Sequence, residues 1–427
     1  MFFNLLMAKA KKKQQEYIEL EYLESTGTQY FNLDYIPTEN TGLHVKASTV
    51  GQGDMIICGS RNNVTTGTRL YLSSTYSSAN QSVPLISIGR GTYMYLQLDG
   101  SFIPASSNLK VPFNTVYEQY TNYKNSKVTR FIDSTRDITS VTIPELIFTP
   151  NQPLYLFAGN IAGVVNYNYK GKIYSCEITE GDKLVMDLIP VLDKNLVACM
   201  YDKVSGKYFY NQGDGEFKWK LPNQLEYIRT TNNSYTIIDV ITDGSYTIEA
   251  KCRAVSIPDT TVRNFGGYMW QGDSSVSNNP RSGIGCYNGR WHVGYNKTGQ
   301  AGTCDTNLHV FKLVEFLKFG EDFNADYFSV DGEQLDISHA SNVDFYSNTK
   351  RNWAIGGRIQ SLGFKNPLDA EHYYWKFWDG NDKLVAYIIP VLDENLTPCM
   401  YDLVSKKYFY NIGTGQFKGP DDNSLIV

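Results

Sequence analysis

The chain has 427 residues, including 35 Gly and 15 Pro, and is 42% hydrophobic and 19% charged. That composition excludes a collagen-like fibre and wholesale disorder, and it supplies enough apolar material for two sizeable cores. The formal net charge is −5, and Lys9, Lys11, Lys12 and Lys13 all lie in the first 13 residues. The body is therefore more acidic than the whole, which argues against a protein that neutralises the phosphates of a nucleic acid.

Residues 1–15 read as an arm. Phe2, Phe3, Leu5 and Leu6 come first and the lysines follow. A secretory signal has the opposite order, with its charges ahead of the apolar run. Met7 offers a second candidate start. No helix or strand period fits these residues, so the arm cannot bury its own apolar groups. Phe2, Phe3, Leu5, Leu6, Lys11, Lys12 and Lys13 are therefore expected to anchor the chain in a partner's groove, with the lysines against acidic patches. No later stretch approaches the roughly 20 apolar residues that span a bilayer, so no membrane association is expected.

Beyond the arm the pattern has period two. Ile18, Leu20 and Tyr22 alternate with Glu19 and Glu21, and Tyr93–Leu98 ends at Asp99-Gly100. Tyr246–Cys252 follows Asp243-Gly244, and Tyr327–Val330 ends at Asp331-Gly332. Short β-branched and aromatic runs bounded by Asp-Gly are hairpin signals. The 32 Tyr and 21 Phe favour the same reading. No amphipathic helix of ten or more residues emerges. His309–Leu313 reads as a strand.

The chain also repeats itself. Residues 182–218 and 382–418 share 26 of 37 positions at an offset of 200. Fainter echoes place Leu20–Leu23 against Leu225–Ile228 at offset 205, and Ala158–Asn160 against Gly356–Arg358 at offset 198. On the offset of 200, Tyr174 aligns with Tyr374. Duplication divides the chain into an arm (1–15) and two modules, 16–220 and 221–427. Many short strands in about 200 residues predict an all-β fold, two tandem β-sandwiches or jelly rolls.

The opening run from Leu20 to Tyr30 resembles the start of a module found in virion proteins of phages that infect gut bacteria, crAss-like phages among them. The endings resemble that module's close: Cys199–Asp202, Gly206–Asn211 and Gly213–Gly215, with their copies 200 residues on. The resemblance implies concanavalin A-like, laminin-G-type (LamG-type) jelly rolls. It further implies a head fibre, capsid auxiliary or tail protein, made in the bacterial host cytoplasm and built into the virion. Its expected partners are a major capsid protein or a fibre partner, and further copies of itself as a homo-oligomer. The alternative it implies is a tail-fibre adhesin that binds a host surface glycan.

Few residues suggest chemistry. Jelly rolls of this kind include glycosidases with a Glu-x-Asp-x-x-Glu strand. Here Glu19, Glu21 and Glu24 lack the central Asp, and Glu24 falls on the opposite face from the other two. The five histidines lack ligand spacing, and no CxxC occurs among the seven cysteines, which are expected as buried, reduced thiols. Gly213-Asp214-Gly215 and Gly413-Thr414-Gly415 are expected turns rather than phosphate cradles, since no helix pattern follows them. No enzyme activity, metal or cofactor is expected. The one candidate glycan site is Tyr268, Trp270 and Trp291, where aromatic residues cluster near Arg281 and Arg290.

Overall fold

The computed structural model describes residues 17–62, 68–78, 81–90, 93–96, 102–103, 110–122, 128–135, 137–140, 151–231, 233–241, 246–257, 265–272, 281–287, 289–293, 299–315, 325–336, 338–339, 352–360, 363–365 and 368–420. The arm, residues 1–15, lies outside them. Among the described residues every regular element is a strand, and no helix is long and apolar enough to cross a membrane. The chain divides into two compact units between Pro222 and Asn223.

Each unit is a β-sandwich of jelly-roll type. In the first unit one sheet runs in the order Asp137–Ser140, Val128–Asp133, Tyr117–Asn122, Thr41–Thr49, Lys170–Glu180, Lys183–Leu192, Ala198–Asp202, Tyr208–Phe209. In the second unit the order is Glu333–Gln334, Ala325–Val330, Leu308–Glu315, Tyr246–Ala254, Ala370–Asp379, Leu384–Leu392, Pro398–Asp402, Lys407–Phe409. The two lists match strand for strand. Registers match as well: Leu188 faces Asp202 and Pro190 faces Met200, just as Ile388 faces Asp402 and Pro390 faces Met400. The opposing sheets correspond too. Met55–Arg61, Thr68–Ser78, Gln81–Arg90 and Tyr93–Leu96 answer Phe265–Gly272, Arg281–Tyr287, Arg290–Val293 and Gly299–Ala301.

Alternation of apolar and polar residues sets the faces. Along Tyr246–Ala254 every second side chain, from Tyr246 through Ile248, Ala250 and Cys252 to Ala254, is buried. These meet Phe311, Trp375 and Phe377 from the same sheet and Tyr268, Ile284 and Trp353 from the opposite one. In the first unit Phe217 stacks on Phe31 at 4.7 Å and packs against Phe157 at 4.9 Å.

One bulge corrects the alignment. The register slips between Ile173 and Ser175 in the first unit and between His372 and Tyr374 in the second, where Lys251 faces Tyr374 and Cys252 faces His372. The extra residues are Tyr174 and Tyr373, and each packs its ring on the matching opening tyrosine, Tyr22 or Tyr227. Tyr174 therefore corresponds to Tyr373, not Tyr374, and the offset along this strand is 199. A bulge inserts one residue without changing which faces are buried on either side.

The duplicated residues build a latch at the end of each unit. Asp202 accepts the backbone N–H groups of Asp187, Val204 and Ser205, as Asp402 does those of Tyr387, Val404 and Ser405. Asp193 accepts the Tyr210 hydroxyl at 3.0 Å, and Asp393 the Tyr410 hydroxyl at 3.1 Å. Asn211 accepts the N–H of Tyr30, 181 residues away, and donates to the carbonyls of Gly213 and Gly215. Asn411 repeats this with Tyr235, Gly413 and Gly415. Gly213 is required by close approach, since a Cβ there would sit 1.9 Å from the Thr28 carbonyl oxygen. At Gly413 the distance to the Asn233 oxygen would be 2.0 Å. The glycine pairs are turns that let the closing segment lie against the opening one.

The expectation of reduced thiols fails at one pair. Cys286 and Cys304 form a disulfide, with Cα atoms 6.1 Å apart, while Cys58, Cys176, Cys199, Cys252 and Cys399 are free and buried. The pair joins a central strand to a loop 18 residues on, a proximity that spacing alone does not reveal.

Candidate functional site

Two of the three expected glycan residues are not at the surface. Tyr268 is 0% and Trp291 2% exposed. The Tyr268 ring packs 5.6 Å from Phe311 and the Trp291 ring 4.9 Å from the same residue. Both rings are spent on the core, because the strands that carry them face the opposite sheet. The Trp270 side chain lies outside the described residues, as do the arm residues Phe2, Phe3, Leu5, Leu6, Lys11, Lys12 and Lys13. Of the rejected glutamates, Glu21 pairs with Lys220 at 3.3 Å and Glu24 with Lys172 at 4.0 Å. Among the described residues no three His, Cys, Asp or Glu side chains gather as a metal would require.

A different aromatic cluster occupies the outer face of the second unit's long sheet. After the bulge at Tyr373, the strand turns Trp375 and Phe377 inward and Tyr374, Lys376 and Trp378 outward. Tyr387 lies beside Lys376 on the next strand and Glu249 on its other side. The Lys376 ammonium sits 4.9 Å from the Tyr387 ring centre, 5.1 Å from that of Tyr374 and 6.0 Å from that of Trp378. It pairs with the Glu249 carboxylate at 3.4 Å, and the Tyr374 hydroxyl donates to that carboxylate at 3.0 Å. Tyr374 and Tyr387 meet edge to face at 6.2 Å. Burial, then the Glu249 charge, pushes the Tyr387 hydroxyl up to about 12 and raises that of Tyr374 as well. Both phenols are therefore neutral hydrogen-bonding groups at ordinary pH. The arrangement is a half-buried aromatic floor with a cation and a carboxylate fixed in it.

Among the described residues the first unit has no such floor. At the matching positions stand Ser175, Glu177, Thr179 and Asp187 in place of Tyr374, Lys376, Trp378 and Tyr387. His44, which corresponds to Glu249, is held between Glu118 at 3.1 Å and Glu177 at 3.3 Å, and Asp187 pairs with Lys203 at 2.8 Å. Sequence reasoning passed over the cluster because the alignment was one residue out. With the bulge counted, the replacement of Ser175 and Thr179 by Tyr374 and Trp378, with Lys376 between them, becomes the signal.

No protein-family model and no curated protein matches the sequence. Among solved structures, the chain is similar to domains LG4-5 of the mouse laminin α1 chain, at 11% identity and a TM-score of 0.27, covering 88% of this chain and 95% of that one. It is also similar to the LG1-3 region of the laminin α2 chain, at 11% identity and 0.27, covering 89% and 70%. A Bacteroides ovatus protein described as carbohydrate-binding matches at 14% identity and 0.31, covering 60% and 77%. At such TM-scores the likeness decides nothing about ligands, and the architecture stands on the strand order itself.

Proposed function

We propose that this chain is a non-catalytic, carbohydrate-binding protein whose second unit holds a saccharide on its outer sheet face. The observation that carries this reading is the replacement of Ser175, Thr179 and Asp187 by Tyr374, Trp378 and Tyr387 on otherwise matching scaffolds. A sugar ring presents an apolar face of C–H bonds and a rim of hydroxyls. Aromatic faces satisfy the first, and fixed groups such as Lys376, Glu249 and the two phenols satisfy the second. The test is affinity electrophoresis of the full chain through gels carrying bacterial and plant polysaccharides. Trp378→Ala should weaken retardation about tenfold, the loss of one stacking ring. Retardation by the wild-type chain that Trp378→Ala and Tyr387→Asp leave unchanged removes this face from the account.

A second reading is a virion structural protein, a capsid decoration or head fibre attached through residues 1–15 and made in the host cytoplasm. What favours it is that the residues shared by both units close the sandwiches, as a repeated building block requires. Its partners would be capsid or fibre proteins and further copies of the chain. Removing residues 1–15 should then abolish incorporation into particles, measured by mass spectrometry of purified virions, while both units stay folded. Normal copy number of the truncated protein defeats this reading.

A further inference from the structure

Resting on the carbohydrate reading, we infer that the saccharide held on this face is acidic: one whose sugars bear carboxylate or sulfate groups. The charges on the outer face differ between two copies of one scaffold. On the first unit's outer face, Lys46 sits opposite Glu118 in the register and pairs with it at 3.9 Å. Glu118 also holds His44, Glu177 holds the other side of His44, and Asp187 holds Lys203. That face thus carries three carboxylates, each set against a lysine or His44.

The second unit has lost all three. Lys251 occupies the place of Lys46, but the residue opposite it is Val310 instead of a glutamate. Glu177 is replaced by Lys376 and Asp187 by Tyr387. Lys312 stands where the first unit has Tyr120, directly opposite Glu249. Only one carboxylate, Glu249, has been gained on these positions, and it is engaged by Lys376 and the Tyr374 hydroxyl. Among the described residues no carboxylate pairs with Lys251 or Lys312. The Lys312 side chain is exposed, and the Lys251 ammonium lies 5.3 Å from the Tyr373 ring centre.

The geometry suits a chain of sugars. Tyr387, Lys376, Glu249 and Lys312 form one row across four neighbouring strands. At about 4.8 Å between strands this row is about 14 Å long, and Lys251 lies one residue pair away along its strand, about 7 Å off the row. The aromatic floor is at the Tyr387 end and the uncompensated lysines at the other. A saccharide stacked on the floor would bring the acidic groups of its next sugars over Lys251 and Lys312, where each contact removes an unpaired cation from the surface.

The test uses the full chain and matched probes: polygalacturonate and heparin as acidic polymers, methyl-esterified polygalacturonate and dextran as neutral ones. Binding is measured by titration calorimetry at low and high salt. The inference expects preference for the acidic polymers, weakening with salt, and a loss of about fivefold for each of Lys251→Gln and Lys312→Gln. Those variants should leave any binding to the neutral polymers unchanged, whereas Trp378→Ala weakens binding to both classes. Equal binding to the esterified and free polymers, insensitive to both lysine substitutions, overturns the acidic assignment and leaves the carbohydrate reading standing. Binding to none of the four polymers overturns both.

Discussion

Acid should unfold the second unit through His372. That side chain is fully buried, with its Nε2 3.0 Å from the Thr230 hydroxyl and its Nδ1 accepting the Trp375 indole N–H at 3.3 Å. The Thr230 hydroxyl has carbonyl acceptors in Leu368 and Ala370, which leaves its oxygen free to accept from Nε2. The ring is therefore neutral, protonated on Nε2, and a second proton would have to enter Nδ1 against the indole donor. Burial pushes its pKa down from 6.5 to about 3. A group with a depressed folded pKa costs stability as pH falls below its unfolded value, because only the unfolded chain takes up the proton. Below pH 6.5 the cost grows by up to about 1.4 kcal/mol per pH unit, reaching about 3 kcal/mol at pH 4.5 and about 4 kcal/mol near pH 3. Urea unfolding followed by tryptophan fluorescence reads this unit, since five of the six tryptophans lie in it. His372→Gln retains a hydrogen-bonding side chain that does not titrate. Between pH 6.5 and 4.5 the wild-type curve should fall more steeply than the variant's by about 1 kcal/mol per unit. Parallel curves would refute a neutral, buried His372.

Two further expectations follow from the same chemistry. His309 is clasped by Asp331 at 2.7 Å and Asp305 at 2.8 Å; burial works to lower its pKa, and the two carboxylates outweigh it and raise it. Its contribution is complete below pH 6.5 and lost as pH rises through the folded value, so His309→Gln should flatten the decline of the second unit's stability from about pH 6.5 upward, by the same unfolding assay. Gly413→Ala should destabilise the second unit by about 2 kcal/mol or more, because the new methyl meets the Asn233 backbone oxygen and the latch must open; a thermal melt with an unchanged midpoint would contradict the latch.

Much of this was legible in the sequence. Period-two alternation in Tyr246–Cys252 gave a strand with the correct inner face, and the 37-residue repeat gave two units of one fold. What escaped depended on distance through space. Tyr268 and Trp291 looked like an aromatic binding cluster because composition does not say which sheet face a residue takes, and both are turned into the core. The pairing of Cys286 with Cys304 needs a strand and a loop to meet. The bulge at Tyr174 and Tyr373 is invisible to alignment by identity, since Tyr373 and Tyr374 are both tyrosine, yet it decides that Tyr374, Lys376 and Trp378 share the outer face. The latch residues were seen as a motif, but their role appears only when Asn211 is found bonding to Tyr30 across 181 residues.

The central claim is that the second unit's outer face holds a saccharide, and hydrogen–deuterium exchange of the full chain with and without a bound polysaccharide tests it most directly. The account predicts added protection in peptides covering 246–252, 308–314, 373–378 and 385–388, with residues 41–47 and 172–179 of the first unit unchanged. Protection confined to the first unit, or to the segments around Tyr268 and Trp291 with 373–378 unaffected, would contradict it.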